Sequence, residues 1–380
     1  MIDLINIKEK ANVSASKLWQ NIVDNHLKVD GSIMGPDGGG RWNLRVWRFV
    51  RSYLPFLPWR NNDRYLLQGQ GYWILANYEL YNQTRDKKYY EAVTKCADSI
   101  LKNQTDEGYW VHDAPGWEGR ITTVEGCFAA IGLLRAFDLS KDKKYLDGAV
   151  KWYDYMMENI GFQKYNNDEN SLSLRYYSNN FASKLVPNVS TLGLWISSEM
   201  HKATNDDTYL QYNTQMINFL IQCQLHTGEL PYAIGKVGEK TRTHYLCYQY
   251  HAFELMDLLE YYKNTNDERI IDVIKKVAEY LKNGVRENGD ARFACHKKTP
   301  TVPYYTAAVS AALLMTTNMG FGNYIEQSLK GYNRLIEVQR KDGGYDYSWN
   351  NYLIFKDKNS YPRNLAMILY HLTILMAKGE

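Results

Sequence analysis

Thr84-Arg-Asp-Lys-Lys-Tyr89 and Gln104-Thr-Asp-Glu-Gly-Tyr-Trp110 bracket one amphipathic stretch and set the frame for the whole chain. The first is a tight polar turn, the second a glutamine followed four residues later by glycine. Both return. The turn recurs as Ser140-Lys-Asp-Lys-Lys-Tyr145, Thr204-Asn-Asp-Asp-Thr-Tyr209 and Thr265-Asn-Asp-Glu-Arg269. The glycine signature recurs as Gln224-Leu-His-Thr-Gly228, Arg286-Glu-Asn-Gly289 and Gln339-Arg-Lys-Asp-Gly-Gly-Tyr345. Apolar helices rich in small residues are expected to start near Asp63, Thr122, Asn188, Thr243, Val302 and Tyr361, at intervals of 59, 66, 55, 59 and 59 residues. A period held over six units marks a repeat architecture. Each unit reads as a small-residue inner helix, a short turn and an outer helix, the latter with apolar residues at helical spacing, as in Tyr89 to Leu101. Six inner and six outer helices predict an all-α, closed (α/α)6 toroid. One domain would span residues 1–380: a closing outer helix at 5–26 and a long lid-like loop within 1–61, then the hairpins of 62–380.

Composition narrows the classes. Apolar content of 45% and a mean hydropathy of −0.50 are those of a globular protein. No apolar run approaches the roughly 20 residues that span a bilayer. Five cysteines, an odd number without CxxC spacing, predict reduced thiols. With no apolar leader visible after Met1, they predict a cytoplasmic protein. A net charge of +3 is too weak to imply nucleic acid, so neither nucleic acid nor membrane is an expected partner. The oligomeric state is left open. The unusual value is 14% aromatic residues, with 32 tyrosines and 10 tryptophans.

The connections are asymmetric. Inner-to-outer turns are short, whereas outer-to-inner segments are long, near 27–61, 105–120, 161–187, 225–242, 285–301 and 341–359. Helix direction alternates, so every long segment emerges at one end of the ring. These segments hold six of the ten tryptophans (Trp42, Trp47, Trp59, Trp110, Trp117 and Trp349) and 20 Lys/Arg against 15 Asp/Glu. A basic, aromatic mouth is the expectation. Aromatic faces stack on sugars, and cations beside inner-helix N-termini favour carboxylates, so the expected substrate is an anionic saccharide.

The densest polar stretch is Arg242-Thr-His-Tyr-Leu-Cys-Tyr-Gln-Tyr-His251. On a helix His244, Tyr248 and His251 share one face, extended by Glu254. Lining a cavity, that face could move a proton at a sugar carbon next to a carboxylate, with Arg242 neutralising the enolate. Alone, His251 reads more simply as a buried, hydrogen-bonded histidine. A second cluster, His112-Asp113-Ala-Pro-Gly-Trp-Glu118-Gly-Arg120, offers Asp113 and Glu118 as a glycosidase acid/base pair. Thr122-x-x-Glu125 matches a capping box, so Glu125 is expected to cap its own helix. Asp290 and Asp346 read as turn formers. Trp42, Arg45, Trp110, Trp117, Arg120, Tyr304, Tyr345 and Trp349 are the expected substrate-binding residues, with Tyr305 and Tyr347 at the same mouth. Arg48 and Arg51 belong to the first long loop, a lid or a wall. Cys247 with His244 or His251 could supply two metal ligands, but no spacing identifies the rest. Neither metal nor other cofactor is expected.

The repeat with its Gln-x-x-x-Gly turns resembles the α/α toroids of two groups. One comprises polysaccharide lyases, unsaturated-uronyl hydrolases, sugar 2-epimerases and the C-terminal domain of glucuronyl C5-epimerases. The other comprises terpene cyclases and protein prenyltransferase β subunits. Tyr65-Leu-Leu-Gln68-Gly69-Gln70 resembles the Ala-Gln-Gly-Gln helix of the C5-epimerase domain, and Tyr248-Gln-Tyr-His251 is similar to its Tyr-His-rich helix. This resemblance implies abstraction and return of a uronate proton by tyrosines and a carboxylate. The second group fits less well: no Asp-x-Asp-Asp or Asp-Asp-x-x-Asp motif occurs. Tyr245-Leu-Cys247-Tyr248 resembles the prenyltransferase zinc segment, yet tyrosine stands two residues before the cysteine, where that segment has aspartate. The leading expectation is an enzyme of C5-epimerase or lyase type acting on a uronate-containing saccharide. The alternatives are a glycoside hydrolase, a non-catalytic saccharide-binding toroid and a cyclase-like or prenyltransferase-like protein.

Overall fold

The computed structural model describes residues 4–37, 46–58, 63–113, 119–178, 184–235 and 239–377. The chain opens with α1 (Leu4–His26) and a short α2 (Arg48–Tyr53). Five helical hairpins follow: α3 (Leu67–Thr84) with α4 (Lys87–Lys102), α5 (Thr123–Ser140) with α6 (Lys143–Tyr155), α7 (Pro187–Thr204) with α8 (Asn213–Cys223), α9 (Cys247–Thr265) with α10 (Ile271–Leu281), and α11 (Pro303–Asn318) with α12 (Ile325–Glu337). The last inner helix, α13 (Pro362–Met376), takes α1 as its outer partner. The inner ring closes: α3 packs on α5, α5 on α7, α7 on α9, α9 on α11, α11 on α13, and α13 on α3. An inner helix touches neighbours on every side, so it is apolar all round, as in α11, where Ala307, Ala308, Ala311 and Ala312 are all buried. Gly71 shows why small residues sit there, since a Cβ on it would lie 2.5 Å from the Phe128 carbonyl oxygen of α5.

The recurring signals have local causes. At the short turns, Arg85, Lys141, Asn205 and Asn266 take left-handed φ values of 59°, 58°, 57° and 53°, reversing the chain. The next residues, Asp86, Asp142, Asp206 and Asp267, each accept an N–H bond at the start of the outer segment. In the glycine signature the glutamine spans two hairpins. Gln104 Nε2 donates to Gly108 O at 2.8 Å and to Gly148 O of α6 at 2.9 Å. Gln224 reaches Gly228 O and Val273 O, and Gln339 reaches Gly343 O and Ser14 O, so the last bond closes the ring onto α1. The glycines adopt positive φ and press against the next outer segment, as Gly108 (φ 95°) does on Lys151 and Gly343 (φ 83°) on Lys17.

Three inner-helix starts match the sequence expectation, with Thr122, Val302 and Tyr361 immediately preceding α5, α11 and α13. Two begin later, at Leu67 and Cys247, because Leu66 is extended and Leu246 is left-handed (φ 46°, ψ 41°). The long connections also contain two hairpins beyond the all-α expectation. β1 (Phe162–Tyr165) pairs antiparallel with β2 (Asp168–Leu174) across Asn166 and Asn167, whose φ values of 50° and 61° suit a tight hairpin. β3 (Ser348–Asn351) pairs antiparallel with β4 (Phe355–Asp357). Among the described residues no helix is long and apolar enough to cross a membrane.

Candidate active site

Inner helices begin where the long connections end, so all six N-termini converge on one mouth. A cavity of about 470 Å³ opens there, lined by the first turns of every inner helix. Gln68 comes from α3, Glu125 and Phe128 from α5, Asn188 from α7, Gln249 and Asp257 from α9, Tyr304 from α11 and Arg363 from α13. Asp37, Arg48 and His112 enter from connections, together with Tyr176, Tyr245, Tyr347 and Tyr361.

Glu125 is buried, and its Oε2 accepts the Gln68 N–H of the neighbouring helix at 2.9 Å. This corrects the capping-box expectation: the carboxylate tethers α3 rather than its own helix, and Thr122 makes no side-chain cap. Its other oxygen lies 3.9 Å from His112 Nε2. Burial pushes the His112 imidazole below its ordinary pKa, with Glu125 opposing, so the ring is a neutral proton acceptor near pH 7. Arg363 sits on the second residue of α13, where a cation runs against the helix dipole. Its guanidinium is 3.6 Å from Asp37, and its side chain is 31% exposed. Burial would favour loss of its proton, but Asp37 and Glu125 outweigh this and raise its pKa. Arg48 lies 3.7 Å from the fully buried Asp357. At the floor, Asp257 accepts the Thr191 hydroxyl at 2.9 Å, and burial raises its carboxyl well above the usual range, favouring the protonated form. Desolvation likewise raises Tyr250, Tyr304, Tyr347 and Tyr361, which stand as neutral phenols.

The structure brings few of the sequence candidates together at this cavity. Tyr304, Tyr305 and Tyr347 line it. The α9 face carrying Leu246, Gln249, Tyr250, Phe253 and Asp257 points inward. Tyr248 and His251 are on the opposite face. Tyr248 stacks on Tyr280 of α10 at 5.4 Å. His251 accepts the Leu230 N–H on Nε2 at 2.8 Å, and its Nδ1 meets the Cys247 carbonyl, which fixes a neutral ring bolting a loop to the helix. Arg242 covers the Tyr245 ring at 3.8 Å from outside, and His244 precedes the helix beside Glu229. Asp113 accepts the Tyr65 N–H at 2.9 Å and pairs with Arg64 at 3.3 Å. Trp110 is buried against Trp152 and donates to Ile100 O. Tyr345 is buried with its hydroxyl 3.2 Å from Ser14. Trp349 pairs its backbone with Thr301, and Arg120 lies 5.4 Å from the Tyr177 ring centre. Trp42, Arg45, Trp117 and Glu118 lie outside the described residues. The expected tryptophan mouth is instead tyrosine-lined among the described residues, and its arginines face nearby carboxylates. Arg363 and Asp257 are not among the residues expected from the sequence. The signals were a cation at a helix N-terminus and an acid within a buried helix.

No family model matches the chain, and no curated protein matches it by sequence. Solved structures do. Cellobiose 2-epimerase from Spirochaeta thermophila superposes with a TM-score of 0.70 at 11% identity over 97% of this chain and 97% of that one. A GH76 α-mannanase from Bacteroides thetaiotaomicron gives 0.69 at 12% identity over 96% and 95%. A possible member of the GH105 family from Salmonella enterica gives 0.66 at 13% over 97% and 94%. The chain has the α/α-toroid fold. At such identities the likeness extends to fold alone.

Proposed function

We propose that the chain is an enzyme that binds a uronate-containing saccharide in this cavity and moves a proton at a sugar carbon, as a C5-epimerase or lyase does. Arg363 carries the reading: a cation held against its helix dipole, a third exposed, amid neutral phenols. The substrate carboxylate would pair with Arg363, which lowers the cost of charge developing beside it. Neutral His112 takes the proton from carbon 5, and the electron pair passes into the enediolate held by Arg363. Glu125, 3.9 Å away, stabilises the resulting imidazolium. Tyr304 then returns a proton to the opposite face of carbon 5. In the lyase variant it protonates oxygen 4 as the carbon–oxygen bond breaks and a double bond forms between carbons 4 and 5. The epimerase and mannanase among the similar structures support a saccharide substrate. Five free cysteines support a reducing, cytoplasmic setting.

A specific observation favours a second reading. Burial raises the Asp257 carboxyl, favouring its protonated form, while Glu125 accepts the Gln68 N–H, the division of labour of a glycosidase acid and base. Incubation with uronate oligosaccharides in D₂O separates the two. Deuterium uptake alone indicates epimerase, a new ultraviolet chromophore lyase, and shortening without a chromophore hydrolase. Asp257→Asn should leave proton transfer within a few-fold of wild type, but would cost a hydrolase about 10²–10⁴-fold. No change on any uronate substrate would sink the proposal.

A further inference from the structure

Outside the cavity, on the opposite face of the α9 entry, four donor side chains from three segments converge. Glu229 comes from the connection after α8, His244 and Cys247 from the entry to α9, and Cys295 from the connection before α11. One ligand atom from each, Glu229 carboxylate, His244 imidazole and the two sulfurs, lies within 4.8 Å of all the others. His244 Nδ1 is 2.9 Å from Glu229 Oε1, and the two sulfurs are 3.4 Å apart. A tetrahedral zinc with Zn–S bonds of about 2.3 Å sets its sulfurs about 3.8 Å apart, so a small opening of the pair would seat the ion.

We propose that Glu229, His244, Cys247 and Cys295 form a structural site for a zinc-class divalent cation that fastens the α9 entry to its two flanking connections. This goes against the expectation of no metal. It is independent of the reaction proposed for the cavity.

The donor set selects the ion. Two thiolates, an imidazole and one carboxylate suit zinc and disfavour magnesium or calcium, which take oxygen ligands. Glu229 is 1% exposed, and among the described residues its one ionic partner is His244. A buried carboxylate in that position lacks a full counter-charge. The surroundings hold the donors in place. Tyr280 donates to Glu229 Oε1 at 3.1 Å, the adjacent Leu230 is tied to His251, and reciprocal bonds between Ala294 and Lys297 present Cys295 on a tight turn. His244 is half-exposed and Cys295 partly so, which gives the ion a path from solvent. On binding, Cys247 and Cys295 lose their thiol protons to water and coordinate as thiolates.

The consequence reaches the cavity. Tyr245 and Leu246, between His244 and Cys247, both line it, and Leu246 carries a left-handed backbone that a non-glycine residue rarely adopts without support. The ion would fix Tyr245 and the left-handed Leu246 at the mouth.

The test is elemental analysis of the full chain purified without chelator, followed by cobalt exchange. The proposal expects one zinc per chain, a thiolate-to-cobalt charge-transfer band with tetrahedral-intensity visible bands, and loss of both in Cys295→Ser. It expects a lower Tm after chelation. Metal-free protein that also gives no cobalt spectrum would overturn it, as would a Cys247–Cys295 disulfide found by mass spectrometry. If Cys295→Ser does not fold, the cobalt spectrum of the unaltered chain decides. A folded Cys295→Ser that keeps full metal content would equally refute the assignment.

Discussion

Replacing Arg363 by methionine removes the cation on which the proposed substrate recognition rests. The Arg363 side chain is 31% exposed and its guanidinium lies 3.6 Å from Asp37, so a substrate carboxylate would approach it from the cavity. A hydrogen bond to a charged partner contributes about 1.5–3 kcal/mol, which is about 10–150-fold in kcat/KM. The wild-type protein should therefore prefer a uronate oligosaccharide over its methyl ester by about 10–150-fold. In Arg363→Met that preference should fall toward about 1, because the ester and the variant remove the same interaction. Arg363→Lys, which keeps the charge but not the planar fork, should fall between. Initial rates on acid and ester, or calorimetric binding of both, measure the ratio directly. Circular-dichroism melts guard against unfolding, since Asp37 and Glu125 lose a counter-charge. A folded Arg363→Met that still prefers the free acid by the wild-type factor would refute the reasoning.

Three further outcomes follow from particular contacts. Gly108→Ala should destabilise by about 2–4 kcal/mol, combining left-handed strain with a clash, because its new Cβ would stand 2.5 Å from the Lys151 carbonyl. Gly119→Ala, at φ 78° with nothing within 4 Å among the described residues, should lose only the strain, and equal Tm losses at the two sites would contradict this. His371 is buried with no hydrogen-bond partner for either ring nitrogen among the described residues, and burial pushes its pKa down to about 3. The unfolded chain thus binds a proton near pH 6.5 that the folded chain refuses until about pH 3, so stability is lost as the pH is lowered through that window. His371→Leu should raise Tm at neutral pH, and its advantage should widen on acidification; a difference that stays constant with pH would be evidence against the buried neutral imidazole. Glu125→Gln should lower turnover by about 10²-fold or more through the loss of imidazolium stabilisation at His112, and unchanged kcat would remove Glu125 from the mechanism.

The repeat was legible because its causes are local. Asp86, Asp142, Asp206 and Asp267 cap within two residues of themselves, and Gly108, Gly228, Gly289 and Gly343 take the positive φ that glycine adopts without strain. The Asn166-Asn167 hairpin carried an equally local signal and went unread. The site was harder. Both faces of α9 are polar and aromatic, so spacing alone could show that His244, Tyr248 and His251 stand together, but not which face the ring turns inward. Glu125 matched a capping box three residues from Thr122, yet the Gln68 N–H of the adjacent helix claims it. A partner 57 positions away leaves no trace in local spacing.

By itself, then, the sequence determined the toroid, its period and the end at which every inner helix begins, since turns, caps and apolar spacing act over a few residues. Only the tertiary structure decided what meets at that end. Lateral packing rotated α9 so that Asp257 faces the cavity and His251 the wall, brought Arg363 of the last helix against Asp37 of the first connection, and gathered Glu229, His244, Cys247 and Cys295 from three segments. Those are long-range contacts fixed by how the hairpins pack, and packing depends on all the neighbours at once.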